Sequence, residues 1–472
     1  MSKSVIGNKK SLKNILLNKN VIFTITFTLV VLIFFHVCSI LPIPGVSVPE
    51  GGISTSDFTS MLNLLAGGGL SKMSLFSIGV GPYITAQIII QLLSSDLIPP
   101  LSKMAKSGER GKKKLEIITR IVCLPFCVAQ AYAVIALLLQ SGNGEITIFG
   151  KKTLADLSAG EITGLIAIFT AGTYLAIFLG DMITKRGVGN GVTLLILSGI
   201  VASIFSNFTV AFKTIISQVN SNDAKNIVLM VLSIAMYVIV FLVLLIFVIF
   251  INDSLRKIPI QQTGQGLITD IEKLPYLPIK LNAAGVIPVI FASSLMTIPV
   301  TIAQFLSNDN EGKWFINEYL PVEKPLGLSL YFIFIILFSF FYSYIQINPE
   351  NLAENFEKSG KFIPGVKTGK DTEKHIAKVL NRVNWIGAPF LAVVASLPYI
   401  ISMVTQIPSG LALGGTGIII IVTGTMELWN SIKSNSTTSG YNANRAKIES
   451  RLQKSGVAQV EKTDEDKSYR MW

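Results

Sequence analysis

The side chains able to do chemistry are few and scattered. The chain has 472 residues, with 3 Cys, 2 His and 28 Asp or Glu. Cys123 and Cys127 are four apart, so they share one helix face. A metal site would need further ligands of the right kind nearby, and His36 and His375 stand without a cluster. All three cysteines, Cys38 included, sit in apolar runs and read as small buried hydrophobes. Their odd number argues against a disulfide framework. No phosphate-binding Walker motif, no HExxH pair and no serine or cysteine nucleophile with its partners is present. Arg120, Asp181 and Glu427 lie at the ends of apolar runs, and His36 lies near the outer end of the first. The reading is therefore a protein that is not an enzyme, with no catalytic residue, metal or cofactor.

Composition says what such a chain is for. Half of it is hydrophobic and 14% is charged, against about 25% charged in a soluble globular protein. Apolar runs long enough to cross a bilayer recur along its length. The net charge of +12 is read as the topology signal of a membrane protein rather than a nucleic-acid surface. The first apolar run, 21–41, follows Lys3, Lys9, Lys10, Lys13 and Lys19 and ends in Leu41-Pro42-Ile43-Pro44-Gly45, not in a cleavage site. It reads as a retained first span.

Ten spans are expected: 21–41, 75–93, 117–139, 162–179, 192–212, 227–251, 283–302, 328–347, 385–404 and 412–428. With the N-terminus inside, 33 of the 40 Lys and Arg fall on cytoplasmic segments and seven outside. That imbalance places both termini in the cytoplasm. Ten spans divide into two halves of five, and the second half starts on the opposite side of the membrane, which makes an inverted repeat. The second span of the first half is interrupted by Gly79, Gly81 and Pro82; its counterpart contains Gly285, Pro288 and Pro299. Such breaks cost helix stability, and non-helical backbone at membrane depth survives only inside protein or beside a water-filled cavity. Paired broken spans point to a functional centre between the halves. With no charge at midplane, a ring of aliphatic side chains can close a pore by dewetting. A polypeptide suits such a neck; a small solute carried by an inverted-repeat transporter is the second reading.

Motifs sharpen this. The chain resembles the SecY/Sec61-alpha family over residues 21–429. The resemblance rests on the Leu41–Gly45 segment, on Gly79, Pro82 and Tyr83, on IIIQLL at 88–93 and on GERGKK at 108–113. It rests also on TKRGVGNG at 184–191, NAAGVIP at 282–288 with FASS at 291–294, and Asn348-Pro349. Lys358-Ser359-Gly360 with Phe362-Ile363-Pro364-Gly365, and Gly414-Gly415-Thr416, complete it. The resemblance implies an all-α polytopic membrane protein of ten transmembrane helices, in two inverted five-helix halves around a central hourglass pore. The halves would be 21–212 and 213–430, after a cytoplasmic segment 1–20 and before a flexible tail 431–472.

Site residues follow from the resemblance, position by position. The pore ring falls on Val80, Ile84, Val192, Ile196, Ile290 and Ile420. The plug, at about 60–72, carries Met61, Leu62, Leu64 and Leu65, with Gly67, Gly68 and Gly69 as its hinge. A lateral gate opens between the second and third spans and the seventh and eighth; Thr85 and Gln130 match gate positions, with Ser293 and Ser294 nearby. The cytoplasmic loops 252–282 and 348–382 would meet partners through Arg256, Lys257, Lys358, Lys361, Lys367 and Lys370. Lys367 stands where the family carries Arg, and the tip 261–266 is uncharged where the family is basic. The implied partners are SecE-like and SecG-like small membrane subunits, the SecA motor ATPase, the ribosome with its rRNA and proteins, and a YidC-type insertase. Signal peptides, nascent chains and the lipid bilayer complete the set. The implied location is the bacterial plasma membrane. The implied function is a channel that moves unfolded secretory proteins across the membrane and releases membrane-protein helices sideways into lipid.

Overall fold

The computed structural model describes residues 19–47, 69–70, 73–141, 147–151, 156–217, 224–263, 274–306, 311–405 and 416–434. Among these the chain is helical. The first half runs α1 (Lys19–Ile40), α2 (Gly81–Leu92), α3 (Pro99–Lys106), α4 (Gly108–Ser141), α5 (Ala159–Arg186) and α6 (Gly191–Ser217). The second runs α7 (Ala224–Asp253), α8 (Ile287–Ala303), α9 (Glu311–Tyr319), α10 (Pro325–Ile347), α11 (Pro349–Lys358) and α12 (Lys370–Thr405). A last helix, α13, covers 416–434. Every expected span has its helix; α3, α9 and α11 are short connections. Six described helices are by themselves long and apolar enough to cross a membrane.

The exceptions place the centre of the molecule. The span expected from residue 75 is helical only from Gly81, for 12 residues, which is about 18 Å of rise against a hydrocarbon layer of about 30 Å. The span expected from 283 is helical only from Ile287. In both, the missing turns are non-helical backbone that leads into the helix. Gly79 sits at φ 58° and Gly285 at φ 66°, a conformation that an L side chain resists and glycine adopts freely. Pro299, read from sequence as part of the second break, lies inside α8 instead. Neighbouring helices in a membrane bundle tolerate such a proline.

The first of these turns is sealed in protein. Residues 73–80 are buried apart from half-buried Leu75. Their backbone groups pair locally: Ser74 N donates to Gly69 O (3.2 Å), Ser77 N to Ser74 O (3.0 Å) and Ile43 N to Met73 O (3.0 Å). The Pro-Ile-Pro-Gly segment after α1 thus braces this turn. A short ribbon, β1 (Val46–Ser47) with β2 (Thr147–Ile148), ties the same segment to the α4–α5 connection. Beyond α2, one π-turn (Leu93–Leu97) and a 100° bend lead into α3.

Close helix approach comes from glycines in α5 and α6. A Cβ on Gly172 would lie 2.0 Å from the Leu75 carbonyl oxygen, and one on Gly191 would lie 1.9 Å from that of Gly180. On the other side of the bundle, β3 (Leu255–Pro259) pairs antiparallel with β5 (Tyr276–Lys280), and β4 (Gln261–Gln262) pairs with β6 (Lys361–Phe362).

These contacts predict opposite outcomes for two glycines of one helix. Gly172→Ala drives a methyl into the Leu75 backbone and should destabilise by about 1–3 kcal/mol. Gly164→Ala, which meets nothing within 4 Å, should be neutral or stabilising by up to about 1 kcal/mol. Thermal unfolding of the two variants in detergent checks the contrast.

Candidate pore and lateral seam

The two glycine turns aim the residues expected to close a pore. Val80 caps α2 and its carbonyl accepts from Ile84 N at 3.1 Å; Val286 caps α8 and accepts from Ile290 N at 3.3 Å. Val192 and Ile196 stand on the first turns of α6. Asn190 Oδ1 accepts from Val192 N (3.1 Å), and Thr184 Oγ1 accepts from Gly191 N (2.8 Å). The glycine-rich run at 184–191 is thereby a built turn. Ile420 stands on α13. The structure brings Val80, Ile84, Ile196, Ile290 and Ile420 into one apolar cluster, all buried, with half-buried Val192 packed against it. These side chains meet through contacts that carry no hydrogen bond.

A buried polar chain holds the second half of this centre in place. Asn282 Nδ2 donates to Asn252 Oδ1 (2.9 Å), and Asn252 Nδ2 donates to Thr423 Oγ1 (3.3 Å). It links the end of α7, the turn before α8 and α13, one turn below Ile420. Asn252 and Thr423 escaped the sequence reading; a single Asn at a span end gave no signal of its partner.

The seam between α2/α4 and α8 holds the expected gate residues. Thr85 and Ser293 are buried and bond within their own helices, Thr85 Oγ1 to Gly81 O (3.2 Å) and Ser293 Oγ to Ile290 O (2.8 Å). Ser294 is buried, and its hydroxyl has no hydrogen-bond partner in the structure. Gln130 lines a small cleft with Ala133, Val134, Leu137, Val300, Thr301 and Gln304. Gln304 is 9% exposed with Oε1 unpaired, so it joins Gln130 as a seam residue. Lying just past the expected span end at 302, it read as loop. Tyr132 stacks on Phe305 across the same seam, ring centroids 4.7 Å apart.

Of the plug residues, Met61, Leu62, Leu64, Leu65, Gly67 and Gly68 lie outside the described residues. Gly69 is described, and it is held. Its carbonyl accepts from Ser74 Oγ (3.1 Å) and Ser77 Oγ (3.3 Å) as well as Ser74 N. A Cβ there would meet Phe76 O at 2.8 Å. Of the expected three-glycine hinge, Gly69 is thus hydrogen-bonded to the turn before α2, and Gly67 and Gly68 lie outside the described residues.

The loops 252–282 and 348–382 are joined to each other. Gln261 and Gln262, read as part of a free uncharged tip, are strand residues facing Phe362 and Lys361. Thr263 seals the junction, donating from N (2.9 Å) and Oγ1 (2.7 Å) to Gly360 O. Beneath lies a shared core of Ile258, Ile279, Phe356, Ile363, Ile376 and Leu380. Around it Arg256, Lys257, Lys358, Lys367 and Lys370 are exposed and Lys361 is half-buried. Lys257 lies over the Tyr276 ring (4.9 Å), and Lys358 pairs with Glu354 (2.7 Å). The latter is an exposed i,i+4 pair worth about 0.3–0.5 kcal/mol, which leaves its charge available to a partner. Cys123 and Cys127, 3.5 Å apart at sulfur, are buried against Tyr83, Ala86 and Ile177.

Known proteins resemble this chain over most of its length. A protein-family model described as SecY matches residues 74–429. Protein translocase subunit SecY of Mycoplasmoides gallisepticum is 52% identical over 456 residues, covering 96% of this chain and 89% of its own. Among solved structures, one described as a protein conducting channel aligns with TM-score 0.61 at 17% identity, covering 87% of this chain and 91% of its own. Sec61 in the canine ribosome-channel complex aligns with TM-score 0.58 at 16% identity, covering 87% and 91%.

The unpaired Gln304 Oε1, buried in the seam, carries a desolvation cost of about 1–3 kcal/mol. Gln304→Met, of similar length without the amide, should stabilise the closed form by part of that amount. A raised thermal unfolding midpoint in detergent, with Gln130 unchanged, is the expected outcome.

Proposed function

The chain belongs to the SecY family, and from that membership we propose how this multi-pass membrane protein conducts polypeptide. Unfolded secretory chains pass through the neck formed by Val80, Ile84, Val192, Ile196, Ile290 and Ile420. Membrane-protein helices leave sideways through the seam between α2/α4 and α8/α10. The observation that carries this reading is the meeting of aliphatic side chains from four different helices in one buried cluster. An apolar neck excludes water and ions when closed. It also holds no fixed polar partner that would discriminate among passing side chains. The same property argues against the small-solute transporter, which needs a compact polar site at midplane.

The driving force comes from outside the chain. The joined loop unit presents Arg256, Lys257, Lys358, Lys361, Lys367 and Lys370 to a cytoplasmic partner. A ribosome, whose rRNA phosphates attract clustered Lys and Arg, fits this surface, and so does a SecA-type motor ATPase. Lys367 offers a point charge rather than the bidentate fork of Arg, so its contact is the weaker kind. SecE-like and SecG-like subunits and a YidC-type insertase complete the assembly in a bacterial plasma membrane with both termini cytoplasmic. The stretch 60–72 closes the neck from outside, tethered at Gly69.

A photo-crosslinker placed at Ile84 should capture a translocating chain arrested midway, whereas labelling of lipid alone there would remove Ile84 from the neck. Deleting 60–72 should raise the resting ion conductance in planar bilayers; unchanged conductance would count against a plug in that stretch.

A further inference from the structure

We propose that Val286 is a further lining residue of the neck, holding in the second half the place that Val80 holds in the first. The inference rests on the reading of Val80, Ile84 and Ile290 as neck residues. It goes beyond that reading by assigning a residue through the internal repeat of the fold.

The two turns match step by step. Gly79-Val80-Gly81-Pro82 and Gly285-Val286-Ile287-Pro288 share Gly, Val and Pro at the same three positions. Both glycines have positive φ, 58° and 66°. Both valines are the helix caps, Val80 at φ −95°, ψ 4° and Val286 at φ −89°, ψ −16°. Both prolines open the helix from its first turn, where no amide hydrogen is needed. Each valine carbonyl receives the amide hydrogen of the residue four further on, Ile84 or Ile290. Both valines are buried, 2% and 1% exposed, in the same apolar cluster. By this alignment Ile290 is the counterpart of Ile84, and Val286 is the counterpart of Val80.

Residues i and i+4 lie one above the other on a helix face. If Ile290 points into the neck from α8, Val286 points the same way one turn earlier. The second and seventh spans are five apart, so they cross the membrane in opposite directions. The pairing is therefore crosswise: Val80 is level with Ile290, and Ile84 is level with Val286. The neck becomes two tiers of aliphatic side chains rather than a single ring. A two-tier neck stays dewetted when one side chain swings aside, because the other tier remains closed.

The test uses the translocase complex with Cys38, Cys123 and Cys127 replaced by Ala and a single cysteine at Val286, Ile290 or Ile302. Val286→Cys is close in size and polarity, so the fold is kept. Ile302, 53% exposed on α8, is the lipid-facing control. A secretory chain carrying one cysteine is arrested midway and treated with a short bismaleimide. Val286→Cys should capture the chain in a yield like that of Ile290→Cys and well above the background of Ile302→Cys. Capture at Ile290→Cys with only background at Val286→Cys would overturn the second tier and leave the ring intact. Background at both would overturn the ring reading itself, and the inference with it.

Discussion

Backbone amides have no water to bond with inside a bilayer, so any stretch that is not helical must be enclosed by protein. This chain breaks two spans near their starts, before Gly81 and before Ile287, and the rest of the fold is arranged around that breach. The Pro-Ile-Pro-Gly segment after α1 donates to the first turn, Ser74 and Ser77 close it on Gly69, and α5 approaches it so tightly that Gly172 has no room for a side chain. The second turn is held from the other direction by the Asn282–Asn252–Thr423 chain. Enclosing both turns forces the helices that follow them, α2 and α8, to the middle of the bundle. The aliphatic side chains on their first turns then share one buried apolar cluster with residues of α6 and α13.

The seam between the halves uses a different economy of hydrogen bonds. Thr85, Ser293, Thr297 and Thr301 all donate to carbonyls of their own helix. Parting α8 from α2 and α4 breaks none of those bonds. What holds the seam shut is side-chain packing, including the Tyr132–Phe305 stack, and packing in a membrane gains little over contact with lipid tails. Among the described residues, hydroxyls bonded within their own helix, and a Gln304 Oε1 without a partner, leave this joint without hydrogen bonds to hold it.

Much of this was legible in the sequence, and the misses share a cause. Ten spans, the inverted halves and the two interrupted helices follow from hydropathy, charge and Gly/Pro placement, because lipid imposes those patterns locally. The helices start six and four residues later than hydropathy places them, since an apolar turn sealed in protein looks like an apolar helix. Pro299 was counted as a break because a proline inside α8 is distinguishable from a break only by its neighbours. Gln304, Asn252 and the clasp on Gly69 are pairings between residues near and far whose partners no local pattern names.

The uncharged Gln261 and Gln262 show how a tertiary pairing revises a reading made from charge. As a loose loop tip, a segment without Lys or Arg looks like a lost docking site. As a strand facing Phe362 and Lys361, it has a structural reason to be neutral: a lysine opposite Lys361 would set like charges directly across a two-residue ladder, which is destabilising. The ladder and the core below it make loops 252–282 and 348–382 one body, and β5 leaves that body only through residues 281–286 before α8 begins. Within those few residues lie Asn282, tied to α7 at Asn252 and through Asn252 to α13, and Gly285, whose backbone leads into α8. A load applied to either loop is therefore delivered to α8, the helix that carries Ile290 and Ser293, by a connection of only six residues.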